Sequence, residues 1–204
     1  VYYPDGRSVT ILQPNEAGAD NTLHGGGPLI TNPSFEQGDT GWSKAPGWSI
    51  VSGGGYDGSW QAVKAPVAGN PNGGLDNATI NAIAPGQVVM AQAAIMGPGC
   101  DGYAVAAVAY LDVNQTLIGV DTNGNQISNS VSGAANNWGL SKIVSTAPDG
   151  AAFCFFTVQI ANHTIYTWYV DACRMVYQTS TLDEVNPGET YTPTPTRAEG
   201  NNML

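Results

Sequence analysis

Between residues 28 and 178 the sequence is cut into short β-prone runs, each closed by a turn signal, and no apolar repeat of helical period is sustained. The runs lie at 28–32, 48–52, 60–65, 77–83, 87–96, 103–112, 116–121, 125–131, 139–147, 151–161 and 165–177. Between them stand Pro85-Gly86, Asn123-Gly124 and Pro148-Asp149-Gly150. Proline presets one φ in such turns, and glycine accepts a positive one. Brief strands at this spacing cannot build a helical bundle; they predict an all-β chain whose strands stack as a two-sheet sandwich.

Both ends differ from this core. "VYYPDGRSVTIL" reads as a small hairpin around Pro4-Asp5-Gly6, and the stretch up to residue 27 has the aperiodic composition of a linker. Residues 179–204 are rich in Pro and Thr, and "TPTPT" favours extended, polyproline-like backbone. The predicted organisation is an arm at 1–27, a sandwich at 28–178 and a second arm at 179–204.

Of the 204 residues only six are Lys or Arg, and the net charge is −10. No basic patch large enough for a nucleic acid or an anionic membrane can be assembled from so few cations. The apolar runs also fall short of the roughly 20 residues that span a bilayer. Cys100, Cys154 and Cys173 lack metal-ligand spacing. Cys154 and Cys173 sit in apolar runs as small core residues, with a disulfide between them as the alternative.

Catalytic groupings are absent from the sequence pattern. The two histidines are His24, in the linker, and His163, in the turn-like "ANHT". Neither belongs to a Ser-His-Asp constellation. Asp112, Asp121 and Asp149 fall in hairpin turns, where aspartate bonds the backbone, rather than facing one another across a cleft. "GGGYDG" matches a dinucleotide motif at Gly53, Gly55 and Gly58 but leads into no helix. "DTNGNQ" opens like a calcium loop but has its glycine at the wrong position. Asn-x-Ser/Thr matches at Asn77, Asn114 and Asn162 are expected by chance in so Asn- and Thr-rich a chain.

Periodicity gives the burial of two strands. In "AAFCFFTVQI", Cys154, Phe156, Val158 and Ile160 form the core face, which sends Phe153 and Phe155 outward. In "QVVMAQAAIM", Val89, Ala91, Ala93 and Ile95 point inward, and Met90, Gln92, Ala94 and Met96 outward. Tyr110 joins the outward set. A sheet apolar on both faces implies a covered outer surface: a glycan, an arm or another subunit.

Five stretches carry a resemblance. They are "LITNPSFEQGDTGW", "YDGSWQAVK", "IAPGQVVMAQAAIM", "VAYLDVNQTLI" and "WGLSKIVSTAPDGAAFCFFTVQI". In this order they resemble the jelly-roll carbohydrate-binding modules found beside xylanases and glucanases and in phage tail proteins. The resemblance implies a jelly-roll β-sandwich over residues 28–178. It also implies a structural calcium where the first strand meets the last, held by Glu36, Asp171 and backbone carbonyls near Asn32. Hard oxygen donors of this kind suit Ca²⁺. The strand after Asp171 departs from the family pattern: Cys173 and Met175 take the apolar places, one residue out of phase. A bulge there, or a different alignment of Asp171, would account for it.

Sugar binding needs flat rings beside hydroxyl-bonding polar groups. Trp60, with Tyr56 and Asp57 before it, is the leading exposed ring, and Tyr110, Phe153 and Phe155 complete the expected glycan platform. Trp42 and Trp48 read as core or loop anchors, and Trp138 as a residue of the sandwich edge. The function expected is non-catalytic: a virion surface protein of phage type, a minor tail or capsid decoration component, adhering to host-surface glycans. Its expected partners are a polysaccharide and other virion subunits, including copies of itself. A Val start with no signal peptide fits a virion protein made in the host cytoplasm. Two alternatives stand: a purely structural virion subunit, and an accessory module of a secreted glycoside hydrolase.

Overall fold

The computed structural model describes residues 29–56, 59–127 and 137–178. The predicted terminal arms, Asp57 and most of the expected run at 125–131 lie outside the described residues.

Eleven strands form two antiparallel sheets, with no helix among the described residues. In chain order they are β1 (Trp42–Lys44), β2 (Trp48–Ser52), β3 (Trp60–Lys64), β4 (Gly73–Asn77), β5 (Asn81–Ala82) and β6 (Val88–Met96). There follow β7 (Tyr103–Leu111), β8 (Leu117–Asp121), β9 (Gly139–Thr146), β10 (Phe153–Ala161) and β11 (Trp168–Tyr177). The first sheet has the order β1-β4-β10-β7-β8, with β5 also paired to β10; the second has the order β2-β3-β11-β6-β9. Consecutive long strands alternate between the sheets, as in a jelly-roll sandwich.

The predicted inner faces are observed. Cys154, Phe156, Val158 and Ile160 of β10 and Val89, Ala91, Ala93 and Ile95 of β6 all lie in one apolar core. Each large side chain removed from water there contributes about 1.5–3 kcal/mol. The three cysteines are free, buried thiols, so Cys154 and Cys173 are core residues and not a disulfide.

Two expected strands are corrected. Residues 28–32 do not form one. Leu29 and Ile30 are buried, but the chain then turns through positive φ at Asn32 (52°) and Phe35 (59°). Asn77 takes the place of a strand partner: it accepts from the Thr31 amide at 3.1 Å and donates to the Thr31 carbonyl at 2.8 Å. The run at 77–83 shrinks to β5, and the full strand is the glycine-rich β4 just before it. The strand β1, which follows the first loop, was not expected either.

The phase change after Asp171 is a bulge. Pairing of β11 with β6 runs regularly to Asp171↔Ala94 and resumes at Arg174↔Gln92. Ala172 sits at φ 46°, a conformation rarely adopted by residues other than glycine. The inserted residue changes the strand's parity. Trp168 and Val170 face the core before it, and Cys173 and Met175 after it. The amide of Cys173 donates to the Pro33 carbonyl at 3.0 Å, so the bulge is where the first loop meets the last strand.

Candidate functional site

Two polar constructions stand out from the sandwich. The first is a clasp around the bulge. Asp171 is fully buried: its Oδ2 accepts from the Tyr56 amide at 2.8 Å and its Oδ1 from the Ala172 amide at 2.7 Å. Glu36 Oε1 accepts from the Ser59 hydroxyl and, at 3.3 Å, from the Trp60 amide. Both carboxylates thus converge on the β2–β3 connection. That connection approaches so closely that a Cβ on Gly55 would come within 2.8 Å of Asp171 Oδ2 and 2.6 Å of the Trp60 carbonyl. Gln61 donates to the Gly53 carbonyl at 2.7 Å, while its Oε1 is buried without a hydrogen-bond partner.

Glu36, Asp171 and the orphaned Gln61 Oε1 are hard oxygens on residues that contact the same β2–β3 connection, and oxygen donors of this kind fit the chemistry of a cation such as calcium. Asn32 does not belong with them. Its carbonyl already accepts from Trp42 Nε1 (2.9 Å) and the Phe35 amide (3.2 Å), which occupies both lone pairs. Its side chain ties the loop to Gly38, Thr40 and Gln37. The neighbouring Pro33 carbonyl accepts from the Cys173 amide alone, which leaves it one lone pair. Among the described residues no three His, Cys, Asp or Glu side chains gather as a metal site.

The second construction is the outer face of the first sheet. Along β10, Phe153, Phe155, Thr157 and Gln159 alternate with the core residues and point away from it. The register Ser43↔Asp76↔Thr157↔Ala107 sets one row across β1, β4, β10 and β7, polar on the first three strands. Thr157 donates to Asp76 Oδ1 at 2.6 Å and accepts from Gln159 Nε2 at 2.7 Å. Gly74 leaves the space these groups use: a Cβ there would come within 2.9 Å of Gln159 Nε2 and 3.2 Å of Asp76 Oδ1. Beside Phe155 runs a floor of small residues on β7, Val105, Ala107 and Ala109, each fully buried. The face therefore passes from the rings of Phe153 and Phe155 to the Gln159 amide on β10 and the Asp76 carboxylate on β4, joined by the buried Thr157 hydroxyl.

The expected aromatic platform is not one surface. Phe153 and Phe155 lie on the outer face, both half-buried. Tyr110 does not: it is 2% exposed and turned inward with Ala104, Ala106 and Val108. Its hydroxyl crosses the sandwich to donate to Ser145 Oγ at 2.7 Å, and Ser145 donates on to Asp121 Oδ2 at 2.6 Å. Burial raises the Tyr110 phenol above its ordinary range. Trp60 is corrected as well: it packs half-buried against the core at the start of β3 rather than standing free. Tyr56 belongs to the clasp on the other sheet, its ring edge-on to Trp138 with centroids 5.6 Å apart. Asp57 lies outside the described residues. Asp76, Thr157 and Gln159 escaped the sequence reading, although the alternation that turned Phe153 and Phe155 outward also selects Thr157 and Gln159.

His163, placed by the sequence in a turn-like stretch, is fully buried and joined through Nε2 to the Tyr166 carbonyl at 3.0 Å.

No protein-family model matches the chain, and no curated protein matches it significantly. Solved structures do. One is the enzymatically active domain of tailspike protein 4 from bacteriophage CBA120, at 11% identity and a TM-score of 0.52, over 73% of this chain and 21% of that one. Another is the CBM22-1–GH10 xylanase 10B of Clostridium thermocellum complexed with xylohexaose, at 13% identity and a TM-score of 0.53, over 76% and 29%. A third is the C-terminal family 22 carbohydrate-binding module of the same organism's Xyn10B, at 18% identity and a TM-score of 0.52, over 74% and 94%. The chain thus spans under a third of the tailspike and the xylanase but nearly the whole of the isolated module. At these identities the likeness is one of architecture, and the chain has the jelly-roll fold of carbohydrate-binding modules.

Proposed function

We propose that the chain is a non-catalytic glycan-binding module whose contact surface is the outer face of the first sheet. The observation that carries this reading is the juxtaposition, on the outer face of β10 and β4, of the half-buried Phe153 and Phe155 with Gln159 and Asp76, which the fully buried Thr157 links by hydrogen bonds. A pyranose offers CH faces to a ring and hydroxyls to fixed polar groups, and this surface presents both. The row is already ordered by its own hydrogen bonds, which lowers the entropy lost on binding. The neighbouring C. thermocellum module is described by its cleft residues in ligand binding, which supports the same role here.

The site is tested by affinity electrophoresis or calorimetry across neutral and acidic polysaccharides, comparing wild type with Phe155→Ala and Gln159→Ala. Loss of a stacking ring is expected to weaken binding by about tenfold or more, in line with the 1–3 kcal/mol span of good aromatic contacts. Absence of binding to every polysaccharide would remove the proposal.

Residence on a virion surface is part of this reading and is supported by the tailspike likeness. Assembly with other subunits has its own support in the apolar side chains exposed around β8, Val113 (75%), Leu117 (56%) and Ile118 (42%). Light scattering of the purified chain tests the assembly component separately. The clasp residues Glu36 and Asp171, with Gln61 Oε1, are the proposed holders of a structural Ca²⁺, which would tie the first loop to the last strand.

A further inference from the structure

The register Trp48↔Lys64↔Trp168 runs straight across β2, β3 and β11, so three inward side chains stand side by side at one end of the second sheet. All three are buried, and their polar atoms are donors only. Trp48 Nε1 and Trp168 Nε1 have no hydrogen-bond partner. The Lys64 ammonium gives one of its three N–H groups to the Ala65 carbonyl, at 3.0 Å. Burial draws its pKa below the ordinary range, and no carboxylate among the described residues holds it up.

Glycines stand where the end of Lys64 would otherwise meet a side chain. Gly47, in the turn between β1 and β2, has a φ of 90°, and a Cβ there would come within 2.9 Å of Lys64 Nζ. Gly73 opens β4 in the other sheet. A Cβ there would come within 3.0 Å of Lys64 Cε and 3.6 Å of Trp48 Nε1, with the Ala45 methyl at 3.5 Å. The charged end of Lys64 and the Trp48 N–H therefore approach the same spot beside Gly73, between the two sheets. Ala45, Gly47 and Gly73 are each only partly buried, so this spot lies at the rim of the sandwich under small residues that reach solvent.

A buried ammonium without a counter-charge is costly, and so is a buried indole N–H without an acceptor. An anion answers both shortages at once. Its bonds to N–H groups are charge-assisted, roughly twice as strong as those between neutral groups. A cation is repelled by Lys64, and a neutral acceptor leaves the charge uncompensated. The close approach of Gly47 and Gly73 limits the occupant to a small ion.

We propose that Lys64 Nζ and Trp48 Nε1 form a binding site for a small monovalent anion of the chloride type, held between β2, β3 and the start of β4. The bound ion compensates the ammonium and ties the two sheets together at this rim. Without it the desolvation of Lys64 stands unopposed, and removal of the charge is favourable. The site uses inward side chains at the end of β3 remote from the clasp, so it stands whether or not a sugar or Ca²⁺ binds elsewhere.

Thermal unfolding of the full chain tests it, with chloride replacing the bulky anion gluconate from about 1 to about 100 mM at constant ionic strength, so that screening does not change. The Tm of wild type is expected to rise by about 2–4 °C and level off as the site fills. Lys64→Met is expected to melt higher than wild type in gluconate and not to respond to chloride. Trp48→Phe keeps a ring but loses the N–H, and should need at least about tenfold more chloride for the same rise, the scale of one hydrogen bond to a charged group. Near-UV circular dichroism in gluconate certifies the fold of both variants, and each tests a different donor. An equal rise in wild type and Lys64→Met overturns the proposal, because it would be an ordinary salt effect. No rise in wild type, or an undiminished response in Trp48→Phe, overturns it as well.

Discussion

Lys64 is the sharpest energetic anomaly in the sandwich. It lies on β3 between Trp48 and Trp168 in register, is fully buried, and gives one hydrogen bond, from Nζ to the Ala65 carbonyl at 3.0 Å. Neither indole offers an acceptor; the Nε1 groups of Trp48 and Trp168 are themselves buried without partners. A single bond from a charged donor contributes about 1.5–3 kcal/mol. Desolvating an ammonium costs several kcal/mol after relaxation. The second quantity is larger, so Lys64→Met, which keeps the length of the side chain and removes the charge, is expected to raise unfolding stability by about 1–3 kcal/mol. Burial lowers the folded-state pKa of Lys64 below its ordinary value near 10.5. Between the lowered value and the ordinary one the unfolded chain binds more protons than the folded one, so wild-type stability rises with pH across that interval. Below the folded value the full cost is present, and above the unfolded value it is gone. Urea unfolding at neutral pH and again near pH 10 measures both effects. The variant should unfold at higher urea at neutral pH, and the gap should narrow at the alkaline pH. A variant less stable than wild type by 1 kcal/mol or more would refute the reasoning, since it would mean that the one carbonyl bond outweighs the desolvation.

The other expectations follow from the clasp and the core. Asp171→Asn removes the charge from two backbone hydrogen bonds at the bulge and should cost about 1.5–3 kcal/mol in urea unfolding; addition of Ca²⁺ should raise the melting temperature of wild type but not of this variant, and an equal rise in both would separate the clasp from the cation. Burial pushes the Cys100 and Cys154 thiols up to about 12 and Cys173 well above its ordinary range, so a thiol reagent at pH 8 should label none of the three until denaturant unfolds the chain; rapid labelling of the native protein would contradict their burial.

Much of the architecture was legible in the residues. The period-two reading of β6 and β10 assigned Val89, Ala91, Ala93 and Ile95 and Cys154, Phe156, Val158 and Ile160 inward, and all eight lie in the core. The glycine- and proline-bearing turns divided the chain correctly over most of the sandwich. The phase slip after Asp171 was visible as a departure from the pattern of the modules the chain resembles, and of the two explanations it left open the structure shows the bulge.

Other features were not legible, for physical reasons. Strand β7 reads Tyr-Ala-Val-Ala-Ala-Val-Ala-Tyr-Leu, apolar at both parities, so nothing local says which way Tyr110 points; the opposite sheet decides by offering Ser145 as its acceptor. Strand β4 begins with two glycines and has almost no intrinsic preference for extended backbone. It is a strand because β1 and β10 supply ladder partners on either side. The rings expected to share one platform are divided because Trp60, Tyr56 and Phe155 belong to an inner edge, a loop over the second sheet and an outer face of the first. The sequence by itself determined that the chain is all-β and which residues of its most regular strands are core. Only the tertiary structure decided strand order and the row Asp76–Thr157–Gln159, because each joins residues far apart in the chain through ladder pairing that no local propensity encodes.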